Sequence, residues 1–167
     1  MANSPTSTVS IRLACASDLS VLLEFRMAMI KDVFAGDAHA PAWDPSEMRA
    51  SNRSWLAKHF GNDFTAWMAE IDGQIVGSAA ILWWDHPPTP VNPGGVEAYV
   101  LNVYTRPEWR KRGVARALME GVLREAQTAG ARRIWLRASA DGRHLYEEIG
   151  FSPGTSYLQF APGPVEA

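Results

Sequence analysis

Residues 96–126 read VEAYVLNVYTRPEWRKRGVARALMEGVLREA. Residues 96–105 are mostly apolar or aromatic, as is typical of a strand, and Pro107 interrupts that pattern. Three cations come directly before Gly113, and apolar residues recur after it at helical spacing until Gly130. This stretch therefore predicts a strand, a basic turn and a helix, in that order.

The basic turn, residues 110–115, has the composition of an anion site. Backbone N–H groups at a helix start lack intrahelical acceptors and lie at the positive end of the helix dipole. Gly113 and Ala115 leave room for a bulky anion, and a solvated basic surface is the alternative interpretation. The position between a strand and a helix favours a phosphate site. The cationic side chains nearby are Arg110, Lys111, Arg112 and Arg116.

Two common nucleotide-binding motifs are absent from the sequence. There is no GxxxxGK[ST] loop with its phosphate-binding lysine. There is also no GxGxxG motif opening a helix with an acidic residue about twenty residues later. The basic turn therefore predicts a phosphate site of a different kind.

The composition is that of a globular protein. With 167 residues, 47% hydrophobic and 20% charged, the chain predicts a single domain over 1–167, with 1–8 and 162–167 as frayed tails. The formal net charge of −2, with the cations clustered in one turn, argues against nucleic-acid binding. No apolar run reaches the roughly 18 residues of a membrane span. Cys15 is the one cysteine, so we expect no internal disulfide and a cytoplasmic location.

The remaining elements follow from periodicity and turn signals. Asp72-Gly73 separates two apolar runs and is the strongest hairpin signal in the chain. Residues 85–95 are rich in proline and glycine and predict a long loop. The predicted elements outside 96–126 are a strand at 9–13, a helix capped by Ser17 or Asp18, a helix from Asp44-Pro45 to about His59, strands at 64–71 and 74–83, a strand at 133–138, a helix at 143–149 and a last strand or hairpin at 151–160.

Two motifs and the order of elements resemble the GCN5-related N-acetyltransferase (GNAT) superfamily. The turn Arg110-x-x-Gly113-x-Ala115 is similar to the pyrophosphate-binding turn of that family. The run Leu145-Tyr146-Glu147-Glu148-Ile149-Gly150-Phe151 is similar to its later tyrosine motif. The resemblance implies an α/β (α+β) GNAT fold: a mixed central sheet of six to seven strands, splayed at its centre and flanked by about four helices.

The resemblance also implies where acetyl-CoA binds. The backbone of the central strand would pair with the pantetheine arm, and the basic turn would hold the pyrophosphate. Ser139 would bond to the cofactor or cap a helix, and Arg143 would contact a phosphate or carry surface charge. The residues expected to bind acetyl-CoA are Val103, Tyr104, Thr105, Arg110, Lys111, Arg112, Gly113, Val114, Ala115, Arg116, Ser139 and Arg143.

The resemblance implies direct attack of an amine on the thioester in a ternary complex. Tyr146 is the candidate general acid, and a tyrosine packed in the core is the alternative. Glu97 is a candidate base on the central strand, and Tyr99, on the same face, is a further candidate catalytic residue. A solvent-facing carboxylate is the alternative for Glu97. The histidines lack metal-ligand spacing, so we expect no metal.

The acceptor is expected to be a primary amine of a small molecule, such as a metabolite or an antibiotic-like amine. Trp83, Trp84 and Asp85 are candidate acceptor-binding residues, because aromatic rings attract cationic amines. Carboxylates at Asp32, Asp37, Asp44 or Asp85 would add to that attraction. A protein or peptide acetyltransferase and a non-catalytic acyl-CoA sensor are the alternatives, and a homodimer is left open.

Overall fold

The computed structural model describes residues 8–35 and 40–154. The helices and strands follow one another in the order that the sequence predicts. They are β1 Ser10–Leu13, α1 Leu19–Phe34, α2 Pro45–His59, β2 Phe64–Ile71, β3 Gln74–Asp85, β4 Val96–Thr105, α3 Val114–Thr128, β5 Arg133–Leu136 and α4 Ala140–Glu148, with short 3-10 turns at Ala16–Asp18 and Pro107–Trp109.

The five strands form one mixed sheet in the order β1-β2-β3-β4-β5. Neighbouring strands are antiparallel except β4 and β5, which are parallel. The hairpin of β2 and β3 around Asp72 and Gly73 confirms the turn prediction, since both residues have positive φ. β5 pairs with residues 97–100 only and ends at Leu136, so β4 extends past it to Thr105.

The predicted count of six to seven strands is too high for the described residues, which contain five. The prediction depended on a last strand at 151–160. Residues 151–154 have no strand structure, and 155–160 lie outside the described residues. Pro153 lacks a backbone N–H and Gly154 weakens strand pairing, which accounts for the first part of this difference.

Helices pack on both faces of the sheet. On one face, Leu22 and Phe25 of α1 and Leu56 of α2 pack with Phe64 and Met68 of β2, all five buried. On the opposite face lies α3, which contacts β2, β3 and β4. Gly77 lets α3 come close, because a Cβ there would lie 3.1 Å from Val114 Cγ1 and 2.7 Å from the Tyr104 carbonyl oxygen.

β4 contains a bulge. Leu101 is paired with Ala80 and Tyr104 with Ser78, so Asn102 and Val103 together stand opposite one residue of β3. Asn102 has a left-handed φ of 54°, and its carbonyl accepts a hydrogen bond from Ser78 Oγ at 3.4 Å. Because of the extra residue, the side chains of Leu101 and Tyr104 lie on the same face of the sheet. Both pack there against the core beneath α1.

The first two helices begin by different means. As predicted, Asp44 caps α2, where its carboxylate accepts from the amides of Ser46 and Glu47. Asp18 stands at the start of α1, but its side chain does not cap the helix. It accepts instead from the amide of Cys15 and from both terminal nitrogens of Arg12. The sequence could not show this pairing, because a capping position and an ion-pair position look alike.

The chain divides into two compact units, 1–137 and 138–167, which are described separately below. The single-domain interpretation stays a prediction. Within the described residues, no helix combines the length and the apolar composition that crossing a membrane requires.

Candidate functional site

The basic turn leads directly into α3. Lys111 and Gly113 both have left-handed φ values, of 60° and 80°. No atom lies within 4 Å of the position of a Cβ on Gly113, so this glycine is required by its backbone conformation and leaves open space beside the turn.

The start of α3 has no side-chain cap. Gly113 occupies the N-cap position, and the first turn carries no acidic residue. By contrast, α2 is capped by Asp44 and α4 by Ser139 Oγ, which accepts from the Gly142 amide at 3.2 Å. The first amides of α3 therefore have neither an intrahelical acceptor nor a cap, which is the arrangement that binds phosphates.

The cations of the turn are engaged in different ways. Arg110 Nε donates to the Thr105 carbonyl at 3.1 Å, and Arg110 Nη2 pairs with Asp32 at 2.6 Å. These contacts tie the turn to the end of β4 and to α1. The guanidinium of Arg112 lies 4.9 Å from the centre of the Trp109 ring. Lys111, Ala115 and Arg116 complete the turn and the first turn of α3.

The end of β4 is the second part of the candidate cofactor site. Val103, Tyr104 and Thr105 lie beyond the last pairing with β5. The Tyr104 ring packs 5.1 Å from that of Phe25, so its side chain belongs to the core while its backbone lies in the strand. Thr105 Oγ1 is buried and has no hydrogen-bond partner among the described residues.

A cleft of about 250 Å³ opens beside the β4 bulge. No sequence motif indicated it, because its lining comes from three distant segments. We call it the α1–α2 cleft, and it is lined by Arg26 from α1, Ser51, Asn52, Trp55 and Leu56 from α2, and Leu101 and Asn102 from β4.

Arg26 carries the charge of this cleft. Its Nε donates to Asn52 Oδ1 at 3.2 Å, and its Nη1 donates to Asn102 Oδ1 at 2.9 Å. Burial lowers the pKa of the guanidinium below its ordinary value, and the group that opposes this shift is the Tyr99 phenol. Arg26 forms no ion pair with a carboxylate in the described part of the chain.

Glu97, the candidate base, lies between two basic side chains. Its Oε1 is 3.3 Å from His86 Nε2, and its Oε2 is 3.5 Å from Arg133 Nη1. The carboxylate is 13% exposed, so it is not a solvent-facing group. Tyr99, two residues later, packs against Trp135 with ring centres 4.3 Å apart.

The candidate acceptor residues are not brought together. Trp83 and Trp84 are consecutive in β3 and therefore face opposite sides of the sheet. The Trp83 indole donates to Thr65 Oγ1 at 3.0 Å. Trp84 is half-exposed and contacts the edge of Trp135, while Asp85 is exposed at the end of the strand.

Two of the four carboxylates expected to attract a cationic amine have other partners. Asp32 pairs with Arg110, and Asp44 caps α2. Asp37 lies outside the described residues. The structure thus gives the cleft a positive side chain, and Asp32 and Asp44 are engaged elsewhere.

Within the second unit, Tyr146 lies on α4 with its ring 6.1 Å from that of Phe151. Burial raises the pKa of its phenol above the ordinary value of 10, so the phenol is protonated at neutral pH. A Cβ on Gly142 would lie 2.8 Å from Tyr146 Cε2, so the glycine makes room for the ring. Ser139 is the cap of α4, and Arg143 lies 3.5 Å from Glu147.

The described residues contain no group of three or more histidine, cysteine, aspartate or glutamate side chains that could hold a metal ion. Cys15 is a free, exposed thiol. Its Sγ lies 3.3 Å from Asp18 Oδ2, at the entry to α1.

Comparison with known proteins gives consistent matches. The sequence model described as the acetyltransferase (GNAT) family matches residues 29–151, which is more than half of the chain. The ribosomal protein bS18-alanine N-acetyltransferase of Salmonella typhimurium is 32% identical over 69 residues, covering 40% of this chain and 47% of that protein. The chain thus spans about half the length of the curated relatives it matches.

Two solved structures match over nearly the whole chain. A predicted acetyltransferase from Clostridium acetobutylicum, solved with acetyl-CoA, is 30% identical with a TM-score of 0.75, covering 92% of this chain and 96% of that one. A GCN5-related N-acetyltransferase from Ralstonia eutropha is 26% identical with a TM-score of 0.79, covering 93% and 100%.

Proposed function

Because this chain belongs to the acetyltransferase (GNAT) family, we propose that it is an N-acetyltransferase that moves the acetyl group of acetyl-CoA to a primary amine of a small molecule. The start of α3 is the observation that carries the choice of donor. It offers uncapped amides, left-handed Gly113 and open space to a diphosphate.

The order of residues along β4 supports the position of the reacting group. The family resemblance pairs the pantetheine arm with the backbone of 103–105 and the pyrophosphate with 110–115. From the pyrophosphate, the pantetheine arm would therefore run back along β4 toward the bulge. At the bulge, Leu101 and Asn102 line the α1–α2 cleft. We therefore assign this cleft to the acceptor.

The transfer is a single displacement. The amine nitrogen attacks the thioester carbonyl carbon, so a C–N bond forms, the C–S bond breaks and the thiolate leaves. Tyr146 is the proposed acid that returns a proton to the sulfur, and burial keeps its phenol in the proton-donating form.

Glu97 is the proposed base that takes the amine proton, directly or through a water. Glu97→Gln should then weaken the dependence of kcat/KM on pH at its acidic limb. An unaltered acidic limb would remove Glu97 from the mechanism and leave Tyr99 or water chains for that step.

The test of the function is thiol release from acetyl-CoA across a panel of amines. The panel contains amino acids, aliphatic and aromatic amines, an aminoglycoside and an amidated peptide with an N-terminal alanine. Release with small amines supports the proposal. Release with the peptide alone would overturn the small-molecule assignment, and acetyl-CoA binding without release by any amine would indicate a sensor.

A further inference from the structure

The positive charge of the α1–α2 cleft has no negative partner among the described residues. Arg12, Arg49 and Arg110 each pair with a carboxylate at 2.7 Å or less. Arg26 is more deeply buried than these side chains, yet its bonds go to the neutral amide oxygens of Asn52 and Asn102. A partly buried charge without a counter-ion is unfavourable, so a ligand that neutralises it would be stabilised in this cleft.

The amides hold the guanidinium in place rather than neutralise it. Asn52 Nδ2 donates to the Met48 carbonyl at 2.8 Å, which turns its oxygen toward Arg26. Asn102 is fixed by the β4 bulge. Arg26 has five N–H donors, and these two bonds use Nε and one hydrogen of Nη1. Within the described residues, three donors remain in the planar fork, which matches the two oxygens of a carboxylate.

The other residues that line the cleft indicate the size and polarity of the rest of the ligand. Trp55 and Leu101 are apolar, Ser51 is a small polar group, and the volume of about 250 Å³ admits a small molecule. A substrate with only positive groups would be repelled by Arg26.

This inference rests on the proposed function. We propose that the acceptor is an amino acid or a similar small compound whose carboxylate binds Arg26. The carboxylate then orients the molecule so that its amine faces the bulge end of β4. Asn52 and Asn102 position the guanidinium, and Trp55 and Leu101 contact the apolar part of the substrate.

The first measurement compares each of two amino acids with its decarboxylated amine. L-Phenylalanine is paired with phenethylamine, and L-leucine with 3-methylbutylamine, at saturating acetyl-CoA. We expect kcat/KM to favour the amino acid by at least tenfold in one pair. In Arg26→Met this ratio should fall to about one, with the KM for acetyl-CoA unchanged. Arg49→Met is the matched control, because that arginine lies outside the cleft and pairs with exposed Glu24.

A second measurement does not depend on turnover. Each amino acid is titrated calorimetrically into the protein saturated with CoA, for the unaltered chain and for Arg26→Met. Binding that Arg26→Met abolishes supports the carboxylate site even if no acetyl transfer occurs, a result that would count against the proposed function alone. Any of the following results would overturn the carboxylate site. They are a preference for the decarboxylated amines or for an N-terminal alanine peptide, an amino acid preference that Arg26→Met retains, and a lack of amino acid binding.

Discussion

Arginine side chains in this protein differ by the charge of their partners. Arg12 pairs with Asp18 and Glu70 at 2.7 Å each and connects β1 to the start of α1 and to β2. Arg26 has a similar fork of donors but meets neutral amides at a cleft. The first arrangement stabilises the fold, and the second leaves binding capacity for a ligand.

Asp18 gives a prediction on stability. The Arg12 guanidinium holds the pKa of the Asp18 carboxyl well below its usual range. The ionised group therefore favours folding above the ordinary carboxyl pKa of about 4, and this contribution is lost as the pH falls toward the lowered value. Asp18→Asn should lower the free energy of unfolding by about 2 kcal/mol at pH 7. At pH 3 this loss of stability relative to the unaltered protein should be smaller by about 1 kcal/mol.

Urea unfolding at the two pH values measures this difference. The control is Glu24→Gln, which removes a carboxylate that is 61% exposed and should change stability by less than about 1 kcal/mol. An Asp18→Asn effect that is equally large at both pH values would show that the carboxylate charge is not the cause.

Tyr146 gives a prediction on catalysis. Tyr146→Phe should reduce kcat about a hundredfold and leave the affinity for acetyl-CoA unchanged, since only proton donation is removed. Because burial raises the pKa of the phenol above its ordinary value, any loss of activity from ionisation of this group should occur at a higher pH than for an exposed tyrosine. Phe151→Leu, which alters packing beside the same ring, is the control. Unchanged turnover in Tyr146→Phe would exclude it as the acid.

Helix α3 has a glycine of left-handed conformation at each end. Gly113 has a φ of 80° and Gly130 a φ of 79°, and neither has an atom within 4 Å of a Cβ position. Either residue changed to alanine should therefore cost about 1 kcal/mol of stability through backbone strain alone. Only Gly113→Ala also places a methyl group at the proposed diphosphate site.

The two variants should thus be alike in thermal stability and differ in binding. We expect Gly113→Ala to raise the Kd for acetyl-CoA about tenfold and Gly130→Ala to leave it within twofold, as measured by calorimetry. Equal losses of affinity would mean that α3 stability, and not the local geometry of the turn, governs binding.

The elements with strong local signals were predictable from sequence. The hairpin, the Asp44 cap and the glycine-started α3 each follow from residues within one short window. The bulge at Asn102 was not predictable, because it depends on how β3 and β4 pair. The α1–α2 cleft was missed for a related reason: Arg26, Asn52 and Asn102 are far apart in the chain and meet only in the fold.

For the whole molecule, direct transfer predicts a kinetic pattern. Initial rates at varied acetyl-CoA and amine should give intersecting double-reciprocal lines, because both substrates must be bound together. Cys15 is the one cysteine in the sequence, and Cys15→Ser should leave kcat unchanged. Parallel lines would instead indicate a covalent acetyl-enzyme. Loss of activity in Cys15→Ser would then identify Cys15 as the nucleophile that carries the acetyl group.

The bulge in β4 has an evolutionary consequence. One extra residue lies between Leu101 and Tyr104 and divides the strand into two stretches. The alternation of side chains between the two faces of the sheet is therefore shifted by one residue from the first stretch to the second. Under the proposed function, substitutions up to Leu101 would change which acceptor binds, while the alternation from Val103 onward, at the proposed acetyl-CoA site, would be left intact. Deleting that single residue would invert the side chains beyond it and withdraw Tyr104 from Phe25. New acceptor preferences should therefore arise by substitution before the bulge and not by changes in strand length.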